Sequence, residues 1–181
     1  MCIRDSIQTL RTAALAISLS HVYNTSSYTW APVIDRSFLT QPLSAATAKG
    51  QVNLVDGFGM YNLHEGENFI PPGLQNATNT GSPPFNSSIA SFDNWVRGYL
   101  PDFSQRNLQA LKALYPESGT AEELVYNTTY ERAGLIYRDS VLACPAYWMA
   151  EAAHKNSYLG EYTIAPALHA SDGEWVSGCA S

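Results

Sequence analysis

The sequence predicts an α/β protein whose sheet is incomplete. Residues 51–58 and 158–164 read as extended segments, and between them lie several stretches in which apolar side chains recur every three or four positions. Two strands do not make a sheet with a core of its own, so the pattern describes an α/β unit with part of its sheet missing. With 45% hydrophobic and 14% charged side chains among 181 residues, the chain is also far from the composition of a disordered protein.

Ile7, Leu10, Ala14 and Ile17 form one apolar stripe and predict an amphipathic helix. The same stretch imitates a signal peptide poorly, because Asp5 interrupts its basic part and no small-x-small cleavage site follows. Trp30-Ala31-Pro32-Val33-Ile34-Asp35 reads as a short extended segment held by its proline. Residues 42–49 predict a helix that Gly50 ends as a C-cap would. Residues 51–58 then alternate into a strand, in which Val52, Leu54, Val55 and Phe58 are apolar enough for burial on both faces.

Residues 70–88 are rich in Pro, Gly, Asn, Ser and Thr and predict a long solvated loop without a core. Ile89, Phe92, Trp95 and Val96, followed by Leu108, Leu111 and Leu114, predict two helices separated by a turn at Pro101. Thr120-Ala121-Glu122-Glu123 has the polar start of a further short helix, and residues 129–156 predict a longer one with a break near Pro145. Residues 166–181 read as loop.

Ten Lys+Arg against sixteen Asp+Glu give a net charge of −6 without a basic run, which excludes a nucleic-acid partner. The longest apolar stretch, residues 13–19, falls far short of the roughly 20 residues that span a bilayer, so no membrane span is expected. Cys2, Cys144 and Cys179 lack the close pairs of a zinc site. A Cys144–Cys179 bridge, a partner outside the chain and a buried free thiol at Cys144 are the alternatives. N-glycosylation sequons stand at Asn24, Asn76, Asn86 and Asn127. Composition alone predicts about two, so the excess leans towards a secreted glycoprotein against a merely Ser/Thr/Asn-rich loop composition.

The densest ionisable group, Asn62-Leu63-His64-Glu65-Gly66-Glu67-Asn68-Phe69, follows the first strand, where open α/β sheets meet their ligands. His64-Glu65 is not followed by a second His one helical turn on, so no metal is expected. A strand-end carboxylate that orients a histidine from elsewhere remains. His169, in the loop Pro166-Ala167-Leu168-His169-Ala170-Ser171-Asp172, is its best partner, and a solvated acidic loop is the bland alternative.

Several motifs in order extend this. Pro32-Val33-Ile34-Asp35, Phe38-Leu39, Pro42, Gly50, the strand, Asn62-Leu63-His64-Glu65-Gly66 and Phe69 resemble the type B carboxylesterase and lipase family, which includes the cholinesterases. Leu114-Tyr115-Pro116, Arg132 before Asp139-Ser140-Val141-Leu142-Ala143-Cys144-Pro145, the stretch 145–150 and Pro166-Ala167-Leu168-His169 are similar to later elements of that family and of its fungal members.

The resemblance implies the C-terminal part of an α/β-hydrolase fold, with residues 7–181 a partial carboxylesterase type B domain. It makes Glu65 the triad acid and His169 the general base, with Glu67 the rival acid disfavoured by the Glu-Gly pair. It implies a small-molecule or lipid ester as substrate, no cofactor, and a secreted parent. Arg36 and Ala170 depart from it, since glycine is usual at both positions. No Gly-x-Ser-x-Gly elbow and no glycine-rich oxyanion stretch occur in the chain, so these residues alone are expected to lack the nucleophile. Residues 1–6 read as a translated sequencing-transposon adapter, with the native frame starting near Ile7. The competing functions are a catalytically inactive esterase-like adhesion or binding protein, an independently folded binding module, and a hydrolase of another reaction class.

Overall fold

The computed structural model describes residues 9, 11–13, 32–53, 55–117 and 126–173. The expected helix at 120–123, most of the first amphipathic helix, Asn24, Cys2 and Cys179 lie outside the described residues. The described residues divide into two compact units, one holding those at 9, 11–13 and 69–117 and the other those at 32–53, 55–68 and 126–173.

In the second unit, α1 spans Leu43–Ala48, and Gly50 beyond it takes φ +63°, the left-handed turn expected of a helix-ending glycine. Strand β1 spans Gly57–Asn62, and helices α4 (Thr129–Arg138) and α5 (Cys144–Glu151) lead to β2 at Ser157–Tyr162. The two strands pair in parallel, Gly57 with Ser157 through Asn62 with Tyr162. Asp56 fixes the start of that register, because its Oδ1 accepts from the Asn156 backbone N–H at 3.3 Å and from Asn156 Nδ2 at 2.9 Å. Helices with a small parallel pair are compatible with a partial α/β fold.

The first strand corrects the sequence reading. It starts at Gly57 rather than Gln51, and burial on both faces does not hold: Val55 and Phe58 are 52% and 57% exposed. The physical reason is helix approach. A Cβ at Gly59 would collide with the carbonyl of Ala146 in α5, so this buried position must be glycine instead of a β-branched residue.

Helix α4, Thr129–Arg138, begins with a capping box: Thr128 Oγ1 accepts from the Glu131 N–H at 3.1 Å while Glu131 Oε2 accepts from the Thr128 N–H at 3.2 Å. A single π-helical turn, Asp139–Ala143, joins it to α5, Cys144–Glu151. The break expected near Pro145 takes this form because proline has no N–H for the regular ladder and is tolerated only in a helix's first turn.

In the first unit, α2 spans Ile89–Tyr99 and α3 spans Gln105–Leu114, with Ser88 and Ser104 as N-caps accepting from the N–H groups of Ser91 and Asn107, each at 3.2 Å. Phe92, Trp95 and Val96 are buried, and the rings of Trp95 and Tyr99 stack at 5.2 Å. The expectation that residues 70–88 contain no core is overturned. Pro72–Gln75 forms a 3₁₀ turn, and Ile70, Leu74 and Phe85 are buried at 3%, 0% and 7% exposure. Composition misleads there because the three large apolar side chains of a polar segment turn inward, and Thr80 and Phe85 close the segment with a two-way backbone bridge.

Candidate active site

The chain leaves β1 at Asn62 and turns at once into a 3₁₀ helix, Glu65–Phe69. Two close approaches shape the turn. A Cβ on Gly66 would overlap the carbonyl oxygen of Gly134 and stand 2.6 Å from the Arg138 nitrogen, so only glycine lets the turn lie against α4. The Tyr130 hydroxyl donates to the Glu67 carbonyl at 2.7 Å, and Arg138 Nη1 donates to the Leu63 carbonyl at 3.1 Å.

This anchoring sets Glu65 at the end of the strand, 8% exposed. Its carboxylate is held at both oxygens. Oε2 accepts from the Asn62 backbone N–H at 2.8 Å, and Oε1 lies 2.7 Å from His169 Nδ1, although 104 residues separate the two in sequence. The His169 side chain is half exposed. A carboxylate on Nδ1 fixes the imidazole's tautomer and leaves Nε2 as the nitrogen that exchanges protons with a reacting group.

The histidine loop is fastened to the strand end. The His64 N–H donates to the Ala167 carbonyl at 2.9 Å, and the His169 N–H donates to Asn68 Oδ1 at 3.2 Å. Asn62 Nδ2 donates to the Leu168 carbonyl at 2.7 Å and to Asp172 Oδ1 at 3.0 Å. Asn68 and Asp172 carry no expected role in the sequence, where Asn62 enters only as a motif position. No local pattern marks Asn62, because the strand expected from the sequence ends at residue 58 and not at residue 62.

The two positions where this chain lacks an expected glycine both adopt left-handed backbone: Arg36 at φ +63° and Ala170 at φ +68°. Ala167 does so too, at φ +50°. A side chain in this left-handed backbone carries a cost in strain.

Glu67, the rival acid, faces a different histidine. His64 Nδ1 lies 2.9 Å from Glu67 Oε1, and burial pushes the Glu67 carboxyl above its ordinary value. Cys144 carries a free thiol among the described residues and is exposed, so the expectation of a buried thiol does not hold, while Cys179 lies outside the described residues. Among the described residues no group of three or more His, Cys, Asp or Glu is arranged to hold a metal ion. Nor, among them, is any helix long and apolar enough to cross a membrane.

The chain is similar to a secreted lipase of Arthroderma benhamiae, 26% identical over 97% of the chain and 31% of the lipase. It is also similar to the carboxylesterase patB of Aspergillus clavatus, 28% identical over 78% of the chain and 23% of that protein. No family model matches it. The relationship is thus a distant one to fungal esterases and lipases, and the chain spans about a third or less of the length of these curated relatives.

Proposed function

We propose that these residues supply the acid and the general base of a secreted carboxylic-ester hydrolase of the type B carboxylesterase and lipase kind. Glu65 is the acid and His169 the base. The observation that carries this reading is the 2.7 Å contact between Glu65 Oε1 and His169 Nδ1 at the carboxyl end of a parallel strand. The two fungal relatives, named a lipase and a carboxylesterase, support the reaction class.

In this reading a serine from polypeptide outside these residues attacks the ester carbonyl. His169 Nε2 takes the hydroxyl proton and returns it to the departing alcohol, leaving an acyl-enzyme. Water then attacks the acyl carbon by the same route, with His169 again the proton acceptor. Glu65 stays ionised, holding the ring and stabilising its cation. The substrate is a small-molecule or lipid ester. Among the described sequons, Asn76 and Asn127 are exposed and are the better presented for glycans in a secreted parent.

The test begins by sequencing the native transcript upstream of the codon for Ile7. An in-frame Gly-x-Ser-x-Gly elbow is expected. The encoded protein then hydrolyses p-nitrophenyl esters, and Glu65→Gln and His169→Gln each reduce kcat by at least about a thousandfold. An elbow lacking its serine, or full activity in either variant, sinks the assignment and turns the reading to a non-catalytic binding protein.

A further inference from the structure

We propose that Asn62 is a positioning residue that holds both halves of the Glu65–His169 pair, its backbone gripping the acid and its side chain the histidine loop. This rests on reading those two residues as a proton-relay pair.

Asn62 is 1% exposed, and a buried amide is costly unless its donors are satisfied. Here they are, and every bond runs to the site. The backbone N–H donates to Glu65 Oε2, while the two protons on Nδ2 go to the Leu168 carbonyl, next to His169, and to Asp172 Oδ1, three residues beyond it. One residue therefore fixes the distance between a carboxylate and an imidazole that belong to distant parts of the chain.

The chemistry specifies the residue type. The side chain must give two hydrogen bonds from one atom, one to a neutral carbonyl and one to a carboxylate, and the asparagine amide nitrogen does this. Aspartate has no donor and would add a charge beside Asp172 and Glu65. Serine has one proton to give, and glutamine adds a methylene to a fully packed position. The Asn68 bond to the His169 N–H secures the loop at one further point and does not reach the acid.

The test uses the 181-residue chain with ¹⁵N-labelled histidine and reads the downfield imidazole Nδ1–H proton by NMR. His64 also has a carboxylate at Nδ1, so the His169 signal is identified by its loss in His169→Gln and Glu65→Gln and its survival in His64→Gln. In Asn62→Ala, solvent exchange of that proton is expected to accelerate about tenfold, the loss of one to two net hydrogen bonds. Exchange of the α4 backbone amides should stay unchanged. A purely structural role would speed the α4 amides in step with the imidazole proton.

A present signal with unchanged exchange in Asn62→Ala, or exchange accelerated equally throughout α4, overturns the role of Asn62 and leaves the pair standing. A wild-type chain without the signal overturns the pair, and the role of Asn62 with it. If Asn62→Ala does not fold, Asp172→Ala decides, because it removes one of the two side-chain bonds from a partly exposed loop. Faster imidazole exchange supports the proposal, and an unaltered rate refutes it.

Discussion

Gly66→Ala is the sharpest test of how the acid's turn is built. The change adds one methyl group, yet that carbon would overlap the Gly134 carbonyl oxygen and lie 2.6 Å from the Arg138 nitrogen, both in the backbone of α4. Overpacking in a core costs about 1–3 kcal/mol, and backbone neighbours cannot swing aside as a side-chain tip does, so the cost sits near about 3 kcal/mol. For a chain of this length each kcal/mol moves the melting temperature by about 2–4 °C, which gives a fall of about 6–12 °C. The assay is thermal unfolding followed by far-ultraviolet circular dichroism. Gly98→Ala is the matched control: its Cβ would meet nothing within 4 Å inside α2, so the better helix former should raise stability by about 0.5–1 kcal/mol. A Gly66→Ala protein melting within about 2 °C of wild type, or both variants shifting in the same direction, would refute the argument from close approach.

Ala170→Gly relieves a left-handed backbone that costs alanine about 1–2 kcal/mol, less the extra chain entropy of glycine, for a net gain of about 0.5–1 kcal/mol in urea unfolding. Because burial raises the Glu67 carboxyl, the folded protein holds that proton more tightly than the unfolded chain does. Its contribution is fully present below the ordinary value of 4.5 and is lost as pH rises through the higher folded value. Glu67→Gln should therefore gain stability relative to wild type across that interval, and parallel pH profiles would contradict it. Burial, with the Tyr147 hydrogen bond and Glu161 adding, pushes the Tyr61 phenol up to about 12. The neutral phenol thus stabilises the fold up to about pH 10, and that contribution falls away as pH approaches 12. Ultraviolet titration of Tyr61→Phe should lack this late-ionising group.

Helices were the most legible part of the chain, because capping and periodicity are local signals. Ser88, Ser104 and Thr128 cap three helices by the mechanism their residue types suggest. The strand was displaced because Val52, Leu54 and Val55 precede it, whereas Gly59, the position α5 requires to be small, carries no hydrophobic signal. The buried Ile70, Leu74 and Phe85 were hidden by the polar composition around them. The approach of Glu65 to His169, 2.7 Å in the structure, was legible through the Glu-Gly pair and the histidine loop. The part played by Asn62 was not, since a hydrogen bond across more than a hundred residues leaves no trace in local pattern.

β1 and β2 pair residue for residue at a constant offset of one hundred positions, Gly57 with Ser157 and Asn62 with Tyr162. That offset has a kinetic meaning. Capped helices form within microseconds from neighbouring residues, but a parallel pair this distant must close a long loop before any contact rewards it. Glu65 and His169 lie beyond the carboxyl ends of those strands, so closing the strand pair brings the two together. The appearance of their hydrogen bond during refolding should coincide with the slowest phase, which makes the site a reporter of the chain's final topological step.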